Sequence, residues 1–161
     1  MKALKAAMQV VAAPGRGGAD VAVVCLSLGS FDTHTNQQGT QANLLRQLGE
    51  GIASLKSALT ELGRWNDTLI VTYSEFGRRP RENLNNGTDH GTAAAHFVAG
   101  GRVKGGLTGH GPVLEQLDGG GNLAPAVDFR SLYATVLERW WGMDSQPVLA
   151  GRFAPLDLIK T

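Results

Sequence analysis

The 161-residue chain has one cysteine, Cys25, so no internal disulfide can brace it. Cys25 stands inside an apolar run and reads as a small buried hydrophobe rather than a nucleophile. Neither sign of charge is in excess: 15 Lys and Arg face 14 Asp and Glu, for a formal net charge of +1. Aromatic residues make up only 6%, and they do not interleave with a basic face. Nucleic acid is therefore not an expected partner. No apolar run reaches the ~20 residues of a membrane-spanning helix, so no membrane partner is expected either. Residues 1–14 lack the sustained apolar segment of a secretory signal, which leaves localisation unassigned.

Other components are abundant. A hydrophobic content of 42% over this length sustains a core, and we read residues 1–161 as a single domain. The 22 glycines are about twice the usual share and punctuate the loops. Residues 2–12 read as a helix ended by Pro14-Gly-Arg-Gly-Gly18. Residues 21–28, Val-Ala-Val-Val-Cys-Leu-Ser-Leu, are too continuously apolar for a half-exposed strand and predict an interior parallel one. Leu44, Leu45, Leu48, Ile52, Leu55, Leu59 and Leu62 recur at helical spacing, predicting a helix over 41–62 capped by Gly63. Residues 68–73 predict the next strand, completing a right-handed βαβ unit. Residues 79–92 read as a loop and 96–99 as an antiparallel third strand, because the connection is too short for a parallel crossover. Residues 113–117 suggest a short strand. Asp128 suggests the cap of a last helix with Trp140 and Trp141 on its apolar side.

Three polar clusters fall where these elements end: Asp32-Thr-His34, Ser74-Glu-Phe-Gly-Arg78 and Thr88-Asp-His-Gly91. In open α/β sheets, ligands bind outside the carboxyl ends of the strands. The set Asp32, His34, Glu75, Asp89 and His90 combines carboxylate and imidazole, which suits a divalent ion: zinc first, manganese or iron next. Asp32 and His34 are two apart, so both can reach one ion. Asp89 and His90 are adjacent and diverge in extended backbone. Asp89 then serves a second ion or orients His90. Arg78, with Glu75 beside it, has the fork to clamp a tetrahedral anion. The plainer alternatives are an Asp-x-His turn, a surface Glu75 paired with Arg78 or Arg79, and a loop-capping His90. His96 reads as a core histidine and His110 as a solvated one.

Gly29-Ser-Phe-Asp-Thr-His34, Thr68 through Arg78 with its Ser-Glu-Phe-Gly-Arg, Asn86-Gly-Thr-Asp-His-Gly91, Val103-Lys-Gly-Gly106, Asp128-Phe-Arg-Ser-Leu-Tyr133 and the Trp-Trp-Gly142 ending form an ordered set. Together they resemble the carboxyl half of the bacterial domain-of-unknown-function family 1501, within the alkaline phosphatase and sulfatase superfamily. The resemblance implies a partial alkaline-phosphatase-like α/β/α sandwich with a mostly parallel sheet and a dinuclear metal centre. By motif position, Asp32 and His34 resemble ligands of the first metal and His90 the histidine that completes it. Glu75-Phe76 stands where the superfamily has an Asp-His pair, so one histidine ligand of the second metal is missing.

The superfamily's Ser or Thr nucleophile lies in an amino-terminal half that would precede this chain. The chain is then expected to be a fragment, one part of a split protein, or a short form. Resembling proteins are often exported to the periplasm. The implied function is metal-dependent hydrolysis of a small phosphate or sulfate ester by metal-activated water. Arg78 and Glu75 would be the catalytic groups; Asp32, His34, Glu75, Asp89 and His90 would be the ligands. The alternative is a non-catalytic metal-binding or structural fragment, completed by another chain or by self-association as a homodimer or higher homo-oligomer.

Overall fold

The computed structural model of the protein describes residues 2–13 and 22–160. The Pro14–Gly18 breaker and Val21 of the predicted first strand lie outside them. Contacts divide the chain into two compact units, Met1–Thr68 with Glu82–Thr88, and Leu69–Arg81 with Asp89–Thr161.

The first unit is built on two helices. Helix α1 (Lys2–Ala12) buries Ala7, and α2 (Gln37–Glu61) buries Leu44 and Leu59. At Gly51 in α2, a Cβ would lie 3.5 Å from Leu4 Cδ1, so the helices approach closely there. The end of α2 is locally encoded. Gly63 takes φ +68, its N–H donates to Thr60 O, and Arg64 N–H donates to Leu59 O. This pair of bonds is a Schellman closure, which favours glycine at the left-handed position. The start of α2 has no side-chain cap. Instead, Asn36 N donates to Asn85 O (3.0 Å) and Gln37 N to Asn86 O (2.9 Å). The 82–88 segment thereby satisfies donors that a helix start leaves unpaired.

The second unit contains β1 (Ile70–Val71), which pairs antiparallel with β4 (Val98–Ala99). Strands β2 (Gly77–Glu82) and β3 (Thr88–Gly91) form a hairpin whose tip belongs to the first unit. Helix α3 (Phe129–Ala134) opens on Asp128, whose carboxylate accepts from Arg130 N. The Arg130 side chain, then its backbone N–H, hold the Asp128 carboxyl down at about 2. A π-helical turn (Thr135–Trp140) follows, then α4 (Gln146–Leu149). Buried Thr135 links these pieces: its Oγ1 donates to Ser131 O (2.7 Å) and accepts from Leu156 N (2.7 Å).

The predicted α/β/α sandwich with a mostly parallel sheet is not what the chain forms. Among the described residues there are two small antiparallel two-stranded sheets and no parallel pair. Residues 22–28 lie in no strand, so the βαβ unit is absent. Of 68–73 only Ile70 and Val71 pair, and their partner is the antiparallel 98–99. The physical reason is that an apolar run expresses a demand for burial, whereas a strand also needs a neighbour to accept its hydrogen bonds. Cys25 is exposed rather than buried for the same reason. Residues 79–92, read as a loop, contain most of the β2–β3 hairpin. Trp141 is exposed, and Trp140 is half-buried with the Arg102 guanidinium 4.2 Å from its ring centre. Among the described residues, no helix is long and apolar enough to cross a membrane.

Candidate metal centre

Asp32 and His34 lie in the segment leading into α2. Ser30 (φ 72) and Asn36 (φ 44) take left-handed backbone on either side. Thr33 between the two is buried, its N–H donating to Phe31 O at 2.9 Å. Thr33 is buried whereas Asp32 is exposed and His34 half-buried, so the two ligand-type side chains lie away from the buried side that Thr33 fills. Asp32 Oδ1 stands 3.0 Å from His34 Nε2.

The hairpin tip fixes this segment from behind. Asn83 Oδ1 accepts from Asn85 N (2.9 Å) and Gly87 N (3.1 Å), closing an Asx turn. The same side chain donates Nδ2 to His34 O at 3.0 Å. Gly87 lies against the His34 backbone: a Cβ there would stand 2.3 Å from both its carbonyl carbon and its oxygen. Thr88 Oγ1 donates to Gln37 Oε1 at 2.9 Å.

His90 stands two residues beyond Thr88 on β3, on the same strand face, with Asp89 opposite. Its ring stacks on Phe76, centroids 3.8 Å apart and planes 10° from parallel. The Arg78 guanidinium carbon is 5.0 Å from the Phe76 ring centre. One ligand atom each from Asp32, His34 and His90 lies within 4.8 Å of the other two. Ligands at ~2.0–2.1 Å from a tetrahedral zinc stand about 3.3 Å from one another, so small rotations would bring these atoms into range. One carboxylate and two imidazoles are a donor set that suits zinc, iron or manganese.

A family model described as "Protein of unknown function (DUF1501)" matches residues 2–152. The chain belongs to the DUF1501 family. No curated protein and no solved structure matches the chain significantly. The DUF1501 match contains all three ligand-type residues and the hairpin that supports them.

Of the residues expected at the site, Asp32, His34 and His90 come together. Glu75 and Asp89 are exposed and fall outside this group of three. Arg78 is half-buried. His96 is exposed rather than a core residue, and exposed His110 bonds through Nδ1 to Gly111 O at 2.9 Å. Sequence reasoning missed Asn83, Gly87 and Gln37, which position the His34 segment, and the Phe76 stack on His90. The signal for the first two was the Asn83-Leu-Asn-Asn-Gly87 run, a turn composition whose target was not visible.

Proposed function

We propose that Asp32, His34 and His90 hold one divalent transition metal, zinc first, and that the chain uses it to hydrolyse small phosphate-type or sulfate esters. The observation that carries this reading is the convergence of three ligand atoms within 4.8 Å, in a donor set that fits such an ion. When bound, the ion supplies Lewis acidity towards a phosphoryl or sulfuryl oxygen and lowers the pKa of bound water to ~7. Phe76 holds the His90 ring, and Asn83 holds the His34 carbonyl. Arg78 offers its planar fork to the anionic group of the ester. Glu75 and Asp89, outside the group of three, are assigned to proton handling or a second ion.

One observation favours a non-catalytic reading. The Asp32 and His34 side chains are 61% and 43% exposed, and an open site keeps the water that a catalytic pocket expels. A metal-binding module that hydrolyses nothing is therefore the second reading.

Elemental analysis of the purified protein, with turnover of nitrophenyl phosphates and sulfates before and after chelation, separates the two. The proposal expects one ion per chain, activity lost on chelation and restored by zinc or manganese. Asp32→Ala, His34→Ala and His90→Ala should lose the ion, while exposed His96→Ala should keep it. Wild-type protein that takes up no metal refutes both readings. Metal uptake without turnover selects the second.

A further inference from the structure

Asn86-Gly87 is the one Asn-Gly step in the chain; every other asparagine precedes a residue with a side chain. Asparagine deamidates when the next backbone nitrogen attacks its side-chain carbonyl carbon. Glycine makes that attack fastest, because it has no Cβ to shield the nitrogen. The fold demands this labile pair. Asn86 takes φ 56, a left-handed value that asparagine tolerates better than most residues. A Cβ on Gly87 would stand 2.3 Å from the His34 carbonyl carbon and oxygen and 2.8 Å from Thr35 N, so another residue there would displace backbone. Asn86 is exposed to the water that completes the reaction, while Gly87 is buried.

The peptide unit that joins the two residues is pinned at both ends. Its N–H, on Gly87, donates to Asn83 Oδ1 at 3.1 Å. Its carbonyl, Asn86 O, accepts from Gln37 N at 2.9 Å. Just beyond, Gly87 O accepts from Asn83 N at 2.8 Å. Attack requires the Gly87 nitrogen to lose the proton that Asn83 holds, and the peptide plane to turn towards Asn86 Cγ. Neither can happen while these bonds stand.

We infer that Asn86 is a deamidation site locked by the Asn83 turn: the closed turn protects it, and opening of the turn releases it. Once the turn is open, hydroxide takes the Gly87 proton and the bond from that nitrogen to Asn86 Cγ forms. The Cγ–Nδ2 bond breaks, and the amide nitrogen leaves as ammonia with a proton from water. A further water opens the resulting succinimide to aspartate or isoaspartate. The net change is asparagine plus water to acid plus ammonia, with no oxidant or reductant. Either product exchanges a neutral amide for a carboxylate beside the start of α2. Isoaspartate also routes the main chain through Cγ, which lengthens the link to Gly87 and draws it from its seat against His34.

The test incubates the whole protein at mildly alkaline pH and follows residue 86 by peptide mass and anion exchange. Native wild type should deamidate there at least about tenfold more slowly than wild type unfolded in urea, because reaction waits for local opening. Asn83→Ala, shown to be folded by circular dichroism, should speed the native reaction at least about tenfold, since it removes the acceptor of the Gly87 N–H. Asn85→Ala keeps the backbone bonds and should stay within about twofold of wild type. Native wild type that reacts as fast as the unfolded chain overturns the inference. So does folded Asn83→Ala that reacts as slowly as wild type, or an equal acceleration in Asn85→Ala. If Asn83→Ala misfolds, hydrogen exchange of the wild type decides, because the Gly87 N–H must open before either reaction. Protection of that N–H by at least about tenfold supports the lock, and free exchange overturns it.

Discussion

Asn83→Ala tests whether the hairpin tip organises the metal centre. The substitution removes three hydrogen bonds at once: Nδ2 to His34 O, and Oδ1 from Asn85 N and Gly87 N. The bonds to His34 and Gly87 are partly buried and the one to Asn85 is exposed. At ~0.5–1.5 kcal/mol net for each bond, and less for the exposed one, the tip loses roughly 2 kcal/mol of local holding energy. If that energy keeps His34 in its binding position, its loss lowers the binding-ready fraction. At 1.4 kcal/mol per tenfold, the apparent zinc affinity falls about 30-fold. This lies inside the ~10–100-fold range of losses seen when groups supporting metal ligands are removed. The assay is zinc competition against a chromophoric chelator, with far-UV circular dichroism to confirm folding. Asn85→Ala keeps the same backbone bonds and should stay within about twofold of wild type. Gly87→Ala attacks the same contact from the other side, since its Cβ would stand 2.3 Å from the His34 carbonyl, and should cost at least as much. Folded Asn83→Ala protein with wild-type zinc affinity would refute the reasoning.

Other perturbations read other parts of the molecule. Phe76→Ala removes the ring stacked on His90 and is expected to weaken zinc by about tenfold, while Phe76→Tyr keeps the stack and the affinity; cobalt absorption and zinc competition check both. Thr135→Val leaves Leu156 N–H without its acceptor and should cost ~1–3 kcal/mol in thermal unfolding, with Thr135→Ser recovering most of it. The Asp128 carboxyl is held down at about 2 by the Arg130 side chain and backbone, so its stabilising contribution is present above the ordinary carboxylate range near ~3.9. That contribution fades as pH falls through about 2. Asp128→Asn should therefore melt below wild type at neutral pH, with the gap closing near pH 2; a gap of constant size would remove the ion pair from the explanation.

What the sequence determined by itself was local. Residues 2–12 and most of 37–61 read as helices because helical bonds join residues four apart, and Gly63 closes α2 using only its own neighbours. Asp128 caps α3 within two residues. Ligand chemistry marked five residues and the family resemblance grouped Asp32, His34 and His90 among them; one ligand atom of each does lie within 4.8 Å of the others, although the parallel-sheet edge expected to gather them does not form. Tertiary structure decided what lies between distant segments. Asn83 meets His34 across 49 positions, and Phe76 comes to lie under His90. Residues 22–28 announced a need for burial, but an apolar pattern carries no information on which strand will cover it. Helix bonds are fixed by adjacency in the chain. Strand and side-chain bonds depend on which remote partner arrives, and that is settled only when the chain has folded.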